Sequence, residues 1–357
     1  MEARLVEWEE MAVNGWHHAD WMRADGLIAR RMARIVGARD HEVAVSGTLT
    51  GNLHMLMASF YKPAGARTKI LMEGTCFPSD RYAASSQIAW HGLDPQEHLI
   101  SPESTTSTED ILYTIEREGD RVALVLVAGL NYLSGEVLDM AAITGAARDA
   151  GCKVGLDLAH AAGNVPMQLH DWEVDFAAWC GYKYLNGGPG APGAFFVHED
   201  HHHDDLDRLA GWWGHNLESR FQMPPEFAPS KGAAGWLTST PPVLGLAPLE
   251  ASTALFEEVG MERLTEKSTR LTAYLDALVR LRLPGDVEIV TPASRGAQLS
   301  LRVSGGRRVF ENLQTLGVIC DWREPDIIRV APAPFYNSFG DLIQFADRLQ
   351  EAIREAA

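Results

Sequence analysis

Apolar positions recur at helical spacing from the first residues of the chain. Leu5, Trp8 and Met11 or Ala12 share one stripe, which predicts an amphipathic helix over 2–16. A helical stretch over 27–36 follows, then a short strand, Glu42-Val43-Ala44-Val45, a small polar loop, Ser46-Gly47-Thr48, and a helix from about 50 to 60. Short apolar runs then predict strands at 69–72, 122–127, 154–156, 176–179 and 193–197, with helices over 78–90, 111–118 and 140–149 among them. This alternation predicts an α/β fold with a mostly parallel sheet flanked by helices on both faces. After Pro241-Pro242 the pattern changes to two long helices, 243–258 and 261–283, strands at 287–290 and 298–303, and helices over 309–316 and 342–353. The expected domains are a helical N-terminal segment over 1–25, a large α/β domain over 26–245 and a smaller α+β domain over 246–357.

Composition narrows the classes. The chain has 357 residues, 46% of them hydrophobic, enough for a sizeable core. A formal charge of −17 disfavours nucleic acid, because phosphate neutralisation needs a basic face. The longest apolar runs, such as 122–130, are far below membrane-spanning length, and the first seven residues, Met1 to Glu7, lack the basic head and apolar stretch of a signal peptide. A cytoplasmic protein without membrane partners is expected. Cys76, Cys152, Cys180 and Cys320 are far apart and form no CxxC pair, so neither a disulfide framework nor a zinc site is implied. His201-His202-His203-Asp204-Asp205 is locally rich in ligand types, but adjacent residues point in different directions, and a solvated loop is expected there rather than a metal site.

Six lysines are present, so each can be weighed. Lys62, Lys69, Lys153, Lys231 and Lys267 all read as solvated charges. Lys183 differs: it follows the apolar run Phe176 to Trp179 and precedes Asn186-Gly187-Gly188-Pro189-Gly190. Loops at the carboxyl ends of such strands are where open α/β sheets place ligands. A desolvated lysine there is freed as a nucleophile toward an aldehyde. Asp157 ends the strand before, where a carboxylate is costly unless it meets a cation. Alone it would read as the N-cap of a helix over 158–162. Together the two residues match what pyridoxal phosphate (PLP) needs: an amine for its aldehyde and a carboxylate that keeps its pyridine nitrogen protonated. Ser46 to Asn52 joins a strand to a helix, so N–H groups and hydroxyls converge as in a phosphate cup.

The run from Gly151 to Gly193, with His170-Asp171-Trp172 and Trp179-Cys180-Gly181-Tyr182-Lys183-Tyr184-Leu185-Asn186, resembles the central segment of kynureninases, PLP enzymes of the aspartate-aminotransferase fold type I. Leu49-Thr50, Asn52-Leu53-His54, Phe77-Pro78-Ser79-Asp80, Gly211-Trp212-Trp213-Gly214-His215 and Ile328-Arg329-Val330-Ala331-Pro332 extend the likeness, in family order. The resemblance implies that Lys183 carries the cofactor as a Schiff base and that Asp157 partners the ring nitrogen. It implies that Tyr182, Thr50 and the backbone around Leu49 hold the phosphate, and that Phe77 stacks on the ring. Pro78, Ser79, Asp80 and His160 line the site, while Trp212 and Thr240 complete it from the neighbouring subunit of a homodimer. Arg329 is expected to grip the substrate α-carboxylate in a bidentate pair.

The implied reaction is hydrolysis of L-kynurenine to anthranilate and L-alanine, with Lys183 moving the α-proton and Tyr182 a later proton donor. Trp16, His17, Trp213, Ser239 and Thr240 are candidates for a slot that takes the aryl group. Three departures stand out. Relatives usually open with an extra segment bearing a Gly-Asn-Ser-Leu-Gly-like motif, Ala128 stands where many have serine, and Asn131 where histidine is common. Two other readings are a different fold-type-I PLP enzyme, such as a cysteine desulfurase using Cys320 after an apparent strand or an aminotransferase, and a PLP-binding protein impaired in catalysis.

Overall fold

The computed structural model describes residues 1–102, 107–203 and 206–356. The chain divides into two compact units, Met1–Gly129 with Asp139–Val259, and Leu130–Leu138 with Gly260–Ala357.

The first unit is built on seven strands: β1 (Val43–Val45), β2 (Lys69–Leu71), β3 (Leu99–Ile100), β4 (Val122–Ala128), β5 (Lys153–Asp157), β6 (Phe176–Trp179) and β7 (Ala194–Val197). Their order is β1-β7-β6-β5-β4-β2-β3. Neighbours from β3 through β6 are parallel, and β7 is antiparallel to both β6 and β1. β4 and β6 are buried on both faces, which is why they read as continuous apolar runs instead of alternating ones. Parallel pairing sets the carboxyl ends of β2, β4, β5 and β6 along one edge, and the loop after β1 opens on that edge too. The helix Leu49–Phe60 lies on the sheet, with Leu53, Met57 and Phe60 in one core with Phe176 and Phe195. The rings of Phe60 and Phe176 stack with centroids 5.1 Å apart.

Asp175, just before β6, ties three segments together. It is buried and accepts from Lys153 Nζ (2.9 Å), the Val154 N–H (2.7 Å) and His201 Nε2 (2.7 Å). His201 is therefore a core residue and not part of a solvated loop, because its ring is the donor that a buried carboxylate requires. His202 is turned inward as well, its Nε2 at 3.0 Å from the Val197 carbonyl. Asp204 and Asp205 lie outside the described residues.

The N-terminal helix spans Glu2–Met11 and is followed by a short 3₁₀ turn, so it ends before the expected residue 16. Its apolar stripe stays exposed at Leu5 and Trp8, and polar contacts hold it: Arg4 bonds Glu7 and Glu250, and Trp21 donates to Glu7. Residues 1–25 thus belong to the first unit. So does the helix Val243–Val259, which packs on Ala24–Val36 and accepts from Arg31 through Glu250 and Glu257. The division between units accordingly falls at Val259/Gly260, not at 245/246.

The second unit carries an antiparallel sheet of β8 (Val287–Ile289), β9 (Leu299–Val303), β10 (Asp321–Arg323) and β11 (Ile327–Val330) in the order β10-β11-β9-β8. The helices Met261–Arg282 and Phe339–Ala356 bury Leu271, Leu275, Ala346 and Leu349 in a core with Leu299, Leu301 and Ile328. Residues 130–138 join this unit through a Glu136–Arg295 bridge and a Val137 N–H bond to the Ser294 carbonyl. Among the described residues no helix is long and apolar enough to cross a membrane.

Burial alone would raise the Asp175 carboxyl, but His201, Lys153 and the Val154 N–H outweigh it and hold the group below the usual carboxylate range. A group depressed in the folded state stabilises above its unfolded value and loses that contribution as pH falls. Asp175→Ala is expected to cost about 3 kcal/mol at pH 7, measured by urea unfolding, because it strands buried donors. The gap between variant and wild type should shrink as pH drops below about 4.

Candidate active site

Asp157 is the last residue of β5, and its backbone pairs with Ala128 of β4 and Ala178 of β6. It is 6% exposed, and its Oδ1 accepts from the Ala159 N–H at 2.7 Å. The chain beyond it makes turns, so the carboxylate caps no helix. Asp80, in the first turn of the helix Pro78–Trp90, is 2% exposed and lies hydrogen-bonded against Asp157. Its Oδ1 is buried and receives no hydrogen bond as a carboxylate. Burial, followed by the Asp157 charge, pushes the Asp80 carboxyl up to about 10, so at neutral pH it carries a proton. Glu73, two residues past β2, is a third buried carboxyl: its Oε2 accepts from the Ala128 N–H at 3.2 Å, and burial pushes it up to about 7.

Lys183 sits on the loop after β6, half-buried, with Nζ 5.9 Å from the centroid of the Phe77 ring. Its charge acts on both Asp80 and Cys180, and Asp157 acts on the same two groups. The lysine and the aspartate therefore face one locus. Tyr182 is half exposed, and burial, the Cys180 thiol and Asp157 raise its phenol above the ordinary value, so it remains protonated. His160 is half-buried three residues past Asp157, with its ring 6.0 Å from that of Tyr184.

A few residues away along the same edge, the helix Leu49–Phe60 begins without a side-chain cap from Thr48, which leaves first-turn N–H groups available to an anion. Thr50 Oγ1 and Ser79 Oγ are 2.7 Å apart, so two hydroxyls converge beside that helix end. Gly193 keeps the approach open: a Cβ there would lie 2.7 Å from the Trp179 carbonyl and 3.5 Å from the Leu49 nitrogen. The arrangement offers hydroxyls and a helix N-terminus for an anionic end, the Phe77 face for a flat ring, an amine for an aldehyde, and carboxyls short of a cation for a protonated ring nitrogen. PLP fits this donor set at each point.

Other predicted residues gather elsewhere. Trp16, His17, Trp212, Trp213 and Thr240 line a groove of about 330 Å³ with Met22 and Phe221; neither Lys183 nor Asp157 lines it, nor does Ser239, which is exposed. The groove wall is braced from behind. Trp213 Nε1 donates to the half-buried Asp25 (3.1 Å), and the Arg220 guanidinium lies 4.6 Å from the Trp213 ring. Arg329, on β11 in the second unit, pairs with Asp321 and donates to the Tyr132 carbonyl at 2.6 Å, while its buried Nε has no partner. Cys320 follows a turn and not a strand. It is half-buried, and burial together with Asp321 pushes its thiol up to about 11, which makes it a poor nucleophile at neutral pH.

Sequence reasoning missed Glu73. The available signal was an acid directly after the apolar run Ile70-Leu71-Met72, the same strand-end placement that singled out Asp157. The groove supports Asp25 and Arg220 were missed as well, since nothing local distinguishes them from surface charges.

The aminotransferase class-V family matches residues 7–305, and the kynureninase C-terminal domain family matches residues 264–349. Kynureninases from Xanthomonas euvesicatoria pv. vesicatoria, Xanthomonas campestris pv. campestris and Xanthomonas oryzae pv. oryzae are each 50% identical over 360 residues, covering 97% of this chain and 85% of theirs. Among solved structures, a variant of the cystine C-S lyase C-DES with glycine covalently linked to its PLP cofactor aligns at TM-score 0.79 and 16% identity over 97% of this chain and 92% of that one. The cysteine desulfurase CsdA from Escherichia coli aligns at TM-score 0.78 and 15% identity, covering 95% of this chain and 86% of that one. Identities this low carry the fold and not the chemistry. The half-identical relatives, matched across nearly the whole length, decide the family: the chain belongs to the kynureninases, PLP-dependent enzymes of fold type I.

Proposed function

We propose that the protein hydrolyses the Cβ–Cγ bond of L-kynurenine, or of its 3-hydroxy form, to L-alanine and anthranilate or 3-hydroxyanthranilate, as a step of tryptophan breakdown in the cytoplasm. The observation that carries this reading is the buried carboxyl set of Asp157, Asp80 and Glu73, with Lys183 acting on Asp80, in a chain half identical to kynureninases.

Bound PLP supplies an electron sink beside the substrate amine carbon. Asp157 holds a proton at the ring nitrogen, and Asp80 and His160 line the site around it. Lys183 Nζ tethers the aldehyde carbon until substrate arrives, then moves the proton at the substrate Cα. Thr50, with the N–H groups around Leu49 and the Tyr182 hydroxyl, orients the phosphate, and Phe77 with Pro78 and Ser79 bounds the ring. Tyr182 is also the acid that protonates the β-carbon released from the γ-carbonyl; burial raises its phenol, so it holds the proton it would donate. Arg329 anchors the α-carboxylate, for which its buried, unpartnered Nε is a free donor. Trp16, His17, Trp213, Ser239 and Thr240 receive the aryl group. A second copy is proposed to bring Trp212 and Thr240 to the cofactor; the exposed side chains of Trp212, Phe221 and Phe227 support an association there.

Mixing PLP-loaded protein with L-kynurenine should release fluorescent anthranilate, and Lys183→Ala should abolish the signal. Cofactor binding with no anthranilate from the wild type would leave a PLP-binding protein without this activity. Arg329→Lys is expected to raise KM about 10- to 100-fold with a smaller change in kcat, the scale of losing charge-assisted hydrogen bonds. Unchanged KM would remove the carboxylate role. In single-turnover measurements Tyr182→Phe should slow product formation about 100-fold, the usual scale of general acid catalysis.

A further inference from the structure

Three carboxyls and one amine make an unbalanced set. Facing Glu73 are Asp157 at the end of β5, Asp80 on the helix Pro78–Trp90, the Cys76 thiol on the intervening loop with Arg81 beyond it, and the Ala128 N–H of β4. Lys183 reaches the set through Asp80. Glu73 is 1% exposed, Asp80 2% and Asp157 6%. Three carboxylates cannot all be ionised in so dry a place beside a single ammonium. The buried Asp80 Oδ1, with no donor reaching it, marks where positive charge or a proton is missing.

We propose that Glu73 is a positioning residue for the cofactor, a third buried carboxyl that acts through the Asp80–Asp157 pair and releases a proton when a cationic ring enters. This rests on the reading of Asp157 and Lys183 given above. Asp157 would pair with the positive charge of a bound ring, the field at Glu73 would become less negative, and the Glu73 carboxyl would give up its proton to solvent. The proton returns when the ring departs; at Glu73 only the O–H bond is made or broken, and the condensation at Lys183, which releases water, is common to wild type and the Glu73 variants. Asp80 keeps its own proton throughout the neutral range, since burial holds it well above Glu73. With Glu73 near 7, the exchange falls where the protein works.

The test is isothermal calorimetry of PLP binding to the apo-protein at pH 7, in two buffers of different ionisation heat, alongside the absorbance band of the bound cofactor. Wild type should release about half a proton more than Glu73→Gln, the fraction a group with a pKa near 7 has to give. Glu73→Asp, which keeps a titrating group, should remain near the wild-type count. The melting temperature of the cofactor-free protein gives a second readout. A carboxyl raised in the folded state stabilises fully below its unfolded value and loses that contribution as pH rises through its folded one. The wild-type melting temperature should therefore fall between pH 5 and pH 8 more steeply than that of Glu73→Gln. Equal proton counts and parallel melting profiles for wild type and Glu73→Gln, with a cofactor band that depends on Lys183, overturn this inference alone. A band that survives Lys183→Ala overturns the reading of the site and this inference with it.

Discussion

A carboxylate drawn out of water at the end of a buried strand persists only if a cation, a donor set or a proton meets it. The edge of the large sheet holds three such groups, and the remainder of the site can be understood as the answer to them. Asp157 has the Ala159 N–H, Glu73 has the Ala128 N–H, and Asp80 has only the neighbouring Asp157. Lys183 brings its positive charge to Asp80. The deficit is what a protonated pyridine nitrogen satisfies, and the family to which the chain belongs uses a cofactor that has one.

That locus can exist because the sheet around it is rigidly pinned. Parallel β2, β4, β5 and β6 bring residues from four separate stretches of chain to one edge. At the opposite ends of β5 and β6, Asp175 binds Lys153, Val154 and His201 at once, so the strands that carry Asp157 and lead to Lys183 cannot slip in register. A second buried carboxylate, Glu42, bonded to the half-buried His170, adds a link between β1 and the segment before β6; it also accepts from the Arg39 and Glu199 N–H groups. Buried charge recurs in both places, paired for stability in one and left short of a cation in the other.

Proteins of very different chemistry share this scaffold, as the likeness to a C-S lyase and to desulfurases shows. What separates them must lie in side chains. Here the residue a desulfurase would need, a reactive thiol, is represented by Cys320, whose burial and acidic neighbour hold it protonated. The groove lined by Trp16, Trp212 and Trp213 is instead a large aromatic surface, stiffened by Arg220 and Asp25.

Much of the fold was written in local pattern. Apolar runs buried on both faces announced β4, β5 and β6, and the long helices of the second half showed their periodicity, because burial on a regular element repeats at the element's own period. Asp157 and Lys183 were legible because a charge at the end of an apolar strand has no local justification. Other features came only from contacts made on folding. Glu73 joined the site because β2 pairs with β4, and Asp25 became a groove support by accepting from Trp213, 188 residues away along the chain. The charged β10 emerged as a strand only against β11, whose four residues are too few to show a period. The division at Val259/Gly260 and the docking of residues 130–138 on the second unit arose the same way. Each of these depends on which surfaces meet after folding, and pairing between distant segments leaves no periodic trace in either segment.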